Sequence, residues 1–164
     1  MKLYIKQRAF SWRDKTVVKD ESGADKYFGQ GEIFSWGRKF HIYDASGAEV
    51  AFLRQKLLAF MPKYYIQVGG REYVLGKHFT LLNPRFYIEG LPWTLEGDFW
   101  AHEYAAFDSG RTVFSLSKKW FTWGDSYELD FVDPQTELLC LCAALTIDCM
   151  NADAENNSAA ASAT

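Results

Sequence analysis

The clearest indication of architecture in this chain is the stretch Asp133-Pro134-Gln135-Thr136-Glu137-Leu138-Leu139-Cys140-Leu141-Cys142-Ala143-Ala144-Leu145-Thr146-Ile147-Asp148. It predicts one helix, because Asp133 can cap the first free N–H groups, Pro134 suits the first helical position, and Glu137 lies where the helix dipole favours an anion. Between residues 138 and 147 only Thr146 is polar. Such a helix has no polar face and must be enclosed on all sides. The apolar run is also only about half the length that a membrane span requires.

The residues before Asp133 alternate between polar and apolar side chains, a period of two that is typical of half-buried strands. Hairpin signals separate these segments, with glycine for positive φ and, in most cases, aspartate to bond the local backbone. They are Asp20-Glu21-Ser22-Gly23, Asp44-Ala45-Ser46-Gly47, Gly69-Gly70 and Asp108-Ser109-Gly110. The spacing predicts about twelve strands. The fold class is therefore mainly β: a closed antiparallel β-barrel of about twelve strands around a central hydrophobic C-terminal helix.

A chain of 164 residues fits one domain. We expect residues 1–151 to form the barrel, with the threaded helix at about 134–150. The helix residues expected in the core are Leu138, Leu139, Leu141, Leu145 and Ile147. Residues 152–164 are alanine- and serine-rich and offer no apolar face, so a disordered tail is expected there, and its removal should leave stability nearly unchanged.

Charge and cysteine usage exclude some classes of protein. The net charge of −3 and the pI near 5.6 argue against a nucleic-acid partner, which usually meets a clear basic excess. Cys140, Cys142 and Cys149 all fall in the predicted helix, an odd count without the spacing of a disulfide framework. Buried thiols in a reducing compartment are expected. This favours a cytoplasmic protein, with peripheral membrane attachment left open.

One short segment, residues 97–103, brings two carboxylates and a histidine together. In a continuous strand Asp98 and His102 would share a face while Glu103 points to the other, so no metal triad is expected. A bulge at Gly97, with Asp98 accepting backbone hydrogen bonds, is the simpler interpretation. The sequence contains no nucleophile elbow, phosphate-binding glycine loop or zinc spacing. No catalytic residue, metal site or cofactor is expected, and the protein is not expected to be an enzyme.

Two clusters that combine cations with aromatic residues are the best functional candidates. The first places Arg54, Lys56 and Lys63 around Phe60-Met61-Pro62, and the second places Lys118-Lys119 before Trp120 and Trp123. Cations beside exposed rings suit an anionic membrane, where the cation meets phosphate and the ring lies at head-group depth. The candidate lipid head-group residues are Arg54, Lys56, Lys63, Lys118, Lys119 and Trp120. Alternatively, the rings cap the barrel ends while the lysines extend into water.

Three segments in order resemble one known family. They are Gln55-Lys56-Leu57-Leu58-Ala59-Phe60-Met61-Pro62-Lys63-Tyr64, Gly97-Asp98-Phe99-Trp100-Ala101-His102-Glu103-Tyr104 and Lys118-Lys119-Trp120-Phe121-Thr122-Trp123-Gly124-Asp125-Ser126-Tyr127. Together with the helix that follows, they resemble the LURP-one-related family of the tubby C-terminal-like superfamily, to which the phospholipid scramblases also belong. The resemblance implies a twelve-stranded barrel with its C-terminal helix threaded through it. Tubby domains bind phosphoinositide head groups through basic residues on the outside of the barrel, and no stretch here matches that site.

The leading hypothesis is a non-catalytic intracellular barrel module that binds an anionic phospholipid head group or membrane surface through the two clusters. The alternative is a structural or regulatory module that contacts another protein and no lipid. A small-molecule-binding barrel or minor enzyme is a third possibility, although a helix in the lumen removes the usual ligand cavity.

Overall fold

The computed structural model describes residues 1–6, 15–32, 34–80, 84–121 and 124–162, with the backbone alone at 120, 121, 124, 125, 155 and 156. The described chain consists of twelve β-strands, a 3-10 turn and one long α-helix. In chain order they are β1 (Lys2–Lys6), β2 (Thr16–Lys19), β3 (Asp25–Gly31), β4 (Lys39–Asp44), β5 (Glu49–Gln55), β6 (Lys63–Val68), β7 (Arg71–His78), β8 (Arg85–Ile88), β9 (Trp93–Asp98), β10 (Glu103–Asp108), β11 (Arg111–Phe121), β12 (Gly124–Phe131), the 3-10 turn (Pro134–Thr136) and α1 (Glu137–Ser162).

All twelve strands form one antiparallel sheet in the order β8-β7-β6-β5-β4-β3-β2-β1-β12-β11-β10-β9. Strands that follow one another in the chain pair with each other at every described connection but one. The first and last strands pair with each other, for example Leu3 with Leu129, and this joins the two halves of the sheet. The edge strands β8 and β9 follow one another in the chain but share no ladder among the described residues. The result is a nearly closed barrel, which confirms the predicted fold class.

Because successive strands are antiparallel, their connections alternate between two ends of the barrel. We call one the turn end; its connections are short and span residues 20–24, 45–48, 69–70, 89–92 and 109–110. The aspartates predicted to shape these turns do so: Asp20 Oδ1 accepts hydrogen bonds from the backbone N–H groups of Ser22 (2.9 Å) and Ala24 (3.1 Å). Asp44 repeats the arrangement in the next hairpin of this end. We call the other end the loop end, and its described connections fall within 32–38, 56–62, 79–84 and 99–102.

Helix α1 enters the barrel at the turn end and emerges at the loop end. Asp133 caps the 3-10 turn that leads into the helix by accepting a hydrogen bond from the Gln135 N–H at 2.9 Å. Near its start, Glu137 accepts a hydrogen bond from the Tyr27 hydroxyl at 2.7 Å. Every residue from 139 to 151 is buried, which is why the sequence shows no polar face. Of the residues predicted for the core, Leu139, Leu141, Leu145 and Ile147 are buried and Leu138 is half-buried.

The C-terminal segment differs from the prediction of a helix ending near 150 and a disordered tail from 152. In the structure the same helix continues to Ser162. Alanine is the strongest helix former, and lengthening an existing helix does not repeat the cost of nucleation. Asp153 also pairs with the Arg38 guanidinium and accepts a hydrogen bond from the Tyr64 hydroxyl at 3.3 Å. The start of the expected tail is thus tied to the barrel wall. No described helix combines the length and apolar character needed to cross a bilayer.

Candidate functional site

The loop end carries most of the exposed large apolar side chains of the described chain. Seven belong to its connections: Phe34, Trp36, Leu57, Leu58, Phe60, Phe79 and Trp100. The other three large apolar residues that are exposed, Met1, Phe28 and Val132, lie elsewhere. Single exposed apolar residues are common, but a group of them confined to one end is typical of an interaction surface. We call the seven side chains of the loop end the apolar rim.

Leu58 is the most unusual member of the apolar rim. Its φ is 58°, in the left-handed region that glycine and asparagine adopt far more readily than leucine. Backbone in such a conformation costs about 1–3 kcal/mol. The side chain recovers nothing by burial, since it is fully exposed. The connection between β5 and β6 therefore exposes an apolar side chain on a residue whose backbone conformation is unfavourable for leucine.

The first predicted cluster of cations does come together, on the outer face of β5 and β6. Arg54 lies with its guanidinium carbon 4.0 Å from the centre of the Tyr65 ring, and the Lys56 ammonium lies 5.9 Å from the same ring. The Lys63 ammonium is 5.7 Å from the centre of the Tyr87 ring. Cations placed over aromatic faces in this way gain about 0.5–1 kcal/mol each at exposed sites.

Two of these three cations also have carboxylate partners. Arg54 pairs with Glu72 at 3.2 Å, and Lys63 pairs with Glu89 at 3.0 Å. Both carboxylates are on the barrel surface, at 40% and 50% side-chain exposure. Pairs this exposed contribute little to stability. The cations are therefore positioned by their neighbours and remain accessible to another anion.

An open groove of about 420 Å³ runs between the connection that carries Leu58 and the adjacent strands. We call it the lysine groove. Its described lining consists of Lys56, Leu58, Ala59, Phe60, Met61, Lys63, Lys77, His78, Phe79 and Tyr87. None of these residues is acidic. Lys77, His78 and Tyr87 were not among the candidate residues predicted from the sequence, although Lys77-His78-Phe79 shows the same combination of cation and aromatic residue as the predicted clusters.

Lys77 differs from the other lysines of the groove because its side chain is on the inner face of β7, with Leu75. Its ammonium lies 5.6 Å from the centre of the Trp100 ring and 5.9 Å from that of Phe86, at the mouth of the barrel. Burial lowers the pKa of Lys77. Among the described residues no carboxylate forms an ion pair with it. A partly desolvated cation thus lies just beneath the apolar rim.

The second predicted cluster lies elsewhere on the loop end. Lys118 and Lys119 are near the end of β11, and four strands separate β11 from β6 even by the shorter way round, across the β8–β9 edges. The Lys119 ammonium is 4.0 Å from Glu128, and the Lys118 backbone N–H donates to Glu103 at 3.0 Å. The side chain of Trp120 and the whole of Trp123 lie outside the described residues. The candidate residues therefore form two clusters at one end of the barrel.

The histidine segment also differs from the prediction. Asp98 ends β9 and accepts hydrogen bonds from the N–H groups of Trp100 (3.0 Å) and Ala101 (2.9 Å), as expected. Gly97 has a φ of 134°, and a Cβ there would lie 2.4 Å from the Glu103 carbonyl oxygen. His102, however, belongs to the turn and not to a strand, with a φ of 57°. It therefore does not share a strand face with Asp98.

His102 instead reaches a carboxylate of the central helix. Its Nδ1 lies 2.9 Å from Oδ1 of Asp148, which is fully buried. Burial raises the pKa of Asp148 to about 6, although His102 acts in the opposite direction. The other carboxylate oxygen, Oδ2, is buried with no hydrogen-bond partner in the described part of the molecule. The Asn151 side chain donates to the Phe99 carbonyl at 2.9 Å, so two helix residues hold this turn.

Among the described residues we find neither a set of metal ligands nor a reactive cysteine. No three of their His, Cys, Asp or Glu side chains are grouped so that they could hold a metal ion. Cys140, Cys142 and Cys149 are free thiols buried in the helix. Burial raises the pKa of the Cys140 thiol to about 12, which keeps it protonated at neutral pH.

Comparison with known proteins gives matches over most of the chain. A family model described as LURP-one-related matches residues 1–148. The uncharacterised protein YxjI of Bacillus subtilis (strain 168) is 33% identical over 149 residues, which are 90% of this chain and 92% of that protein. The X-ray structure of a protein from Arabidopsis thaliana superimposes with a TM-score of 0.61 at 13% identity, covering 90% of this chain and 89% of the other. At that identity the structural match concerns the fold alone.

Proposed function

The chain belongs to the LURP-one-related family, and from this premise we propose that it is a non-catalytic barrel module that binds an anionic phospholipid membrane surface with its loop end. One observation carries the proposal: the apolar rim and both clusters of cations occur at the same end of the barrel. Apolar side chains that insert and lysines that meet phosphate are the combination that a negatively charged bilayer favours.

The separation of the two clusters supports a flat partner over a small one. Lys56 and Lys63 lie on one sector of the loop end, while Lys118 and Lys119 lie on another, four strands away from β6. A single small molecule in one groove would contact only one sector. A bilayer is planar on this scale and would contact both sectors at once. In the described part of the molecule, buried side chains of α1 fill the lumen, where a barrel would usually hold a small ligand.

The expected affinity is moderate and depends on salt. Each lysine near an anionic surface contributes about 1 kcal/mol, and this contribution falls off within a Debye length. Insertion of Leu58 and Phe60 adds a fraction of the ~1.5–3 kcal/mol that full burial of each side chain would give. Neither contribution alone suffices for stable attachment, so the charged and the apolar parts of the loop end should both be required.

One observation favours a protein partner as the second candidate function. Arg54 and Lys63 already have carboxylate partners, so fewer cations are unpaired than the sequence suggests. A partner that covered the apolar rim with its own apolar surface would need no anionic lipid. Its association would be nearly independent of salt, whereas vesicle binding would weaken as salt rises.

The test is sedimentation of the full chain with vesicles of phosphatidylcholine alone and of phosphatidylcholine with phosphatidylserine, over a series of salt concentrations. We expect binding only to the anionic vesicles, and weaker binding at higher salt. Changing Lys56, Lys63, Lys118 and Lys119 together to glutamate should abolish it. Salt-dependent binding that survives this fourfold change would assign the interaction to another surface, and failure to bind any vesicle would refute the proposal.

The apolar contribution can be tested separately with a matched pair of variants. Leu58→Asn together with Phe60→Ser should weaken binding about ten- to a hundredfold, and asparagine tolerates the φ of position 58. The control is Val132→Ser, which removes an exposed apolar side chain at the turn end. Equal losses in the two variants would show that the orientation of the barrel on the membrane is not the one proposed.

A further inference from the structure

We infer that the lysine groove binds the phosphomonoester head group of an acidic membrane lipid. This inference rests on the proposed function, since it assigns one lipid class to a particular part of the loop end. The groove combines Lys56, Lys63 and His78 with no acidic residue among its described lining. At about 420 Å³ it is within the size range of sites that hold small ligands.

The wall of the groove is shaped around the Tyr87 ring. This ring packs over Gly76, where a Cβ would lie only 2.5 Å from ring atoms, so glycine leaves room for the ring against β7. The His78 ring lies 4.4 Å from that of Tyr87. The Lys63 ammonium interacts with the Tyr87 hydroxyl and with Glu89, and both raise the pKa of Lys63. Lys63 therefore stays cationic at neutral pH, with a hydroxyl beside it that can also donate to an anion.

The Glu89 carboxylate would compete with a phosphate for the Lys63 ammonium. It contacts Lys63 at 3.0 Å through a side chain that is half exposed. A phosphomonoester carries between one and a half and two charges at neutral pH and three strong acceptor oxygens, whereas a carboxylate carries one charge and two oxygens. Ammonium groups bind phosphate as point charges, so the more highly charged group should displace the exposed carboxylate.

The exposed apolar side chains beside the groove favour a lipid over a soluble ester as the source of this phosphate. Leu58 and Phe60 belong to its lining and are almost completely exposed. A soluble phosphate ester would leave both side chains in water. A lipid head group would bring them to the bilayer surface, where apolar side chains are stabilised. A monoester such as phosphatidic acid also presents its phosphate at the end of the head group, without the amine and carboxylate that cover the phosphate of phosphatidylserine.

The experiment compares vesicles that contain phosphatidic acid with vesicles that contain phosphatidylserine, adjusted to the same surface potential. We expect the parent chain to bind the phosphatidic acid vesicles roughly fivefold more tightly, the effect of about one additional charge contact. Lys56→Gln with Lys63→Gln should bring this ratio to about one. Lys118→Gln with Lys119→Gln removes the same charge from the other cluster and should lower both affinities without changing the ratio.

A second pair of variants tests for a gain of binding. Glu89→Gln frees Lys63 and should increase the preference for phosphatidic acid. Glu96→Gln makes the same change in net charge on β9, outside the groove, and should leave the preference unchanged.

The outcomes separate this inference from the proposed function. Equal binding to both anionic vesicles, or a preference unaffected by the Lys56 and Lys63 changes, would overturn the inference and leave membrane binding in place. No binding to either vesicle would overturn both. Protection of the groove lysines from chemical modification by glycerol 3-phosphate, without vesicle binding, would assign the groove to a soluble phosphate and so overturn the lipid source.

Discussion

Changing Asp148 to asparagine should stabilise the protein at neutral pH. The pKa of Asp148 is raised to about 6 from the 3.8 of an unperturbed aspartate, and the cause is burial. The folded state thus binds the proton more tightly than the unfolded state does. This contribution to stability is present in full below pH 4 and is lost as the pH rises to about 6. A difference of about two pKa units corresponds to about 3 kcal/mol.

The substitution preserves the local contacts well enough for this difference to be measured. The amide oxygen of asparagine can still accept from His102, and the amide nitrogen takes the position of Oδ2, which already lacks a hydrogen-bond partner. Other titratable groups close to the carboxylate are Tyr104 and Cys149, and burial raises both of their pKa values, so neither titrates in this range. The expected change therefore belongs to the pair of Asp148 and His102.

The assay is thermal and urea unfolding of both proteins at a series of pH values between 4 and 8. The stability difference should be near zero at pH 4, grow through pH 5 and level off above pH 6, with a rise in melting temperature of roughly 6–12 °C at neutral pH. Asp130→Asn is the control: it removes the same charge from an exposed pair with the N-terminal ammonium on the outer face of β12 and should change stability little. A D148N protein less stable than the parent at pH 7 would refute the reasoning, because it would mean that a charged His102 requires the carboxylate as its ion-pair partner.

Three further predictions concern the helix and the end of β9. Leu141→Asp places an unpaired charge at a fully buried position, a cost comparable to the whole stability of a domain, and circular dichroism should detect no cooperative unfolding transition. Deletion of the chain from Ala152 onward removes Asp153, the partner of the Tyr64 hydroxyl, and should lower the free energy of unfolding by about 1–3 kcal/mol, whereas the sequence predicted a small effect. Deletion from Asn157 onward is the control and should have no measurable effect. Equal losses of stability in the two truncated proteins would show that Asp153 does not contribute. In Gly97→Ala the added Cβ would lie 2.4 Å from the backbone of the next strand, and the change should lower the free energy of unfolding in urea by at least about 2 kcal/mol. A neutral result would show that the pairing of β9 with β10 relaxes easily at this position.

The architecture could be predicted because its determinants are local. A run of apolar residues without a polar face can only be an enclosed helix, and the aspartate-glycine turns fix the hairpins between the strands. The grouping of Arg54, Lys56 and Lys63 was predictable for the same reason, since a single hairpin connection separates them. That the two clusters occupy one end follows from the alternation of antiparallel strands, but their spacing around that end depends on the order of strands in the closed sheet.

The contacts that sequence reasoning missed depend on how the helix is placed inside the barrel. Asp148 and His102 are 46 residues apart, and no local pattern indicates which turn the helix residue will meet. The same is true of Asp153, whose partners Arg38 and Tyr64 belong to distant parts of the wall. A polar residue at the end of an apolar helical run is the only sequence signal, and it is equally consistent with the helix simply ending there.

The barrel is open along one line, between the edge strands β8 and β9, and helix α1 lies inside it. The two edges have no shared ladder in the described chain, and the Phe86 ring of β8 packs against the ring of Phe99, directly after β9, with centres 4.9 Å apart. The barrel can widen along this line without breaking the hydrogen bonds of any strand pair, while α1 keeps its contacts with the other strands. Amide hydrogens along this line should therefore exchange with solvent before those of β1 and β12, the pair that joins the two halves. The Lys77 ammonium, 5.9 Å from the centre of the Phe86 ring and 5.6 Å from that of Trp100, borders the same line.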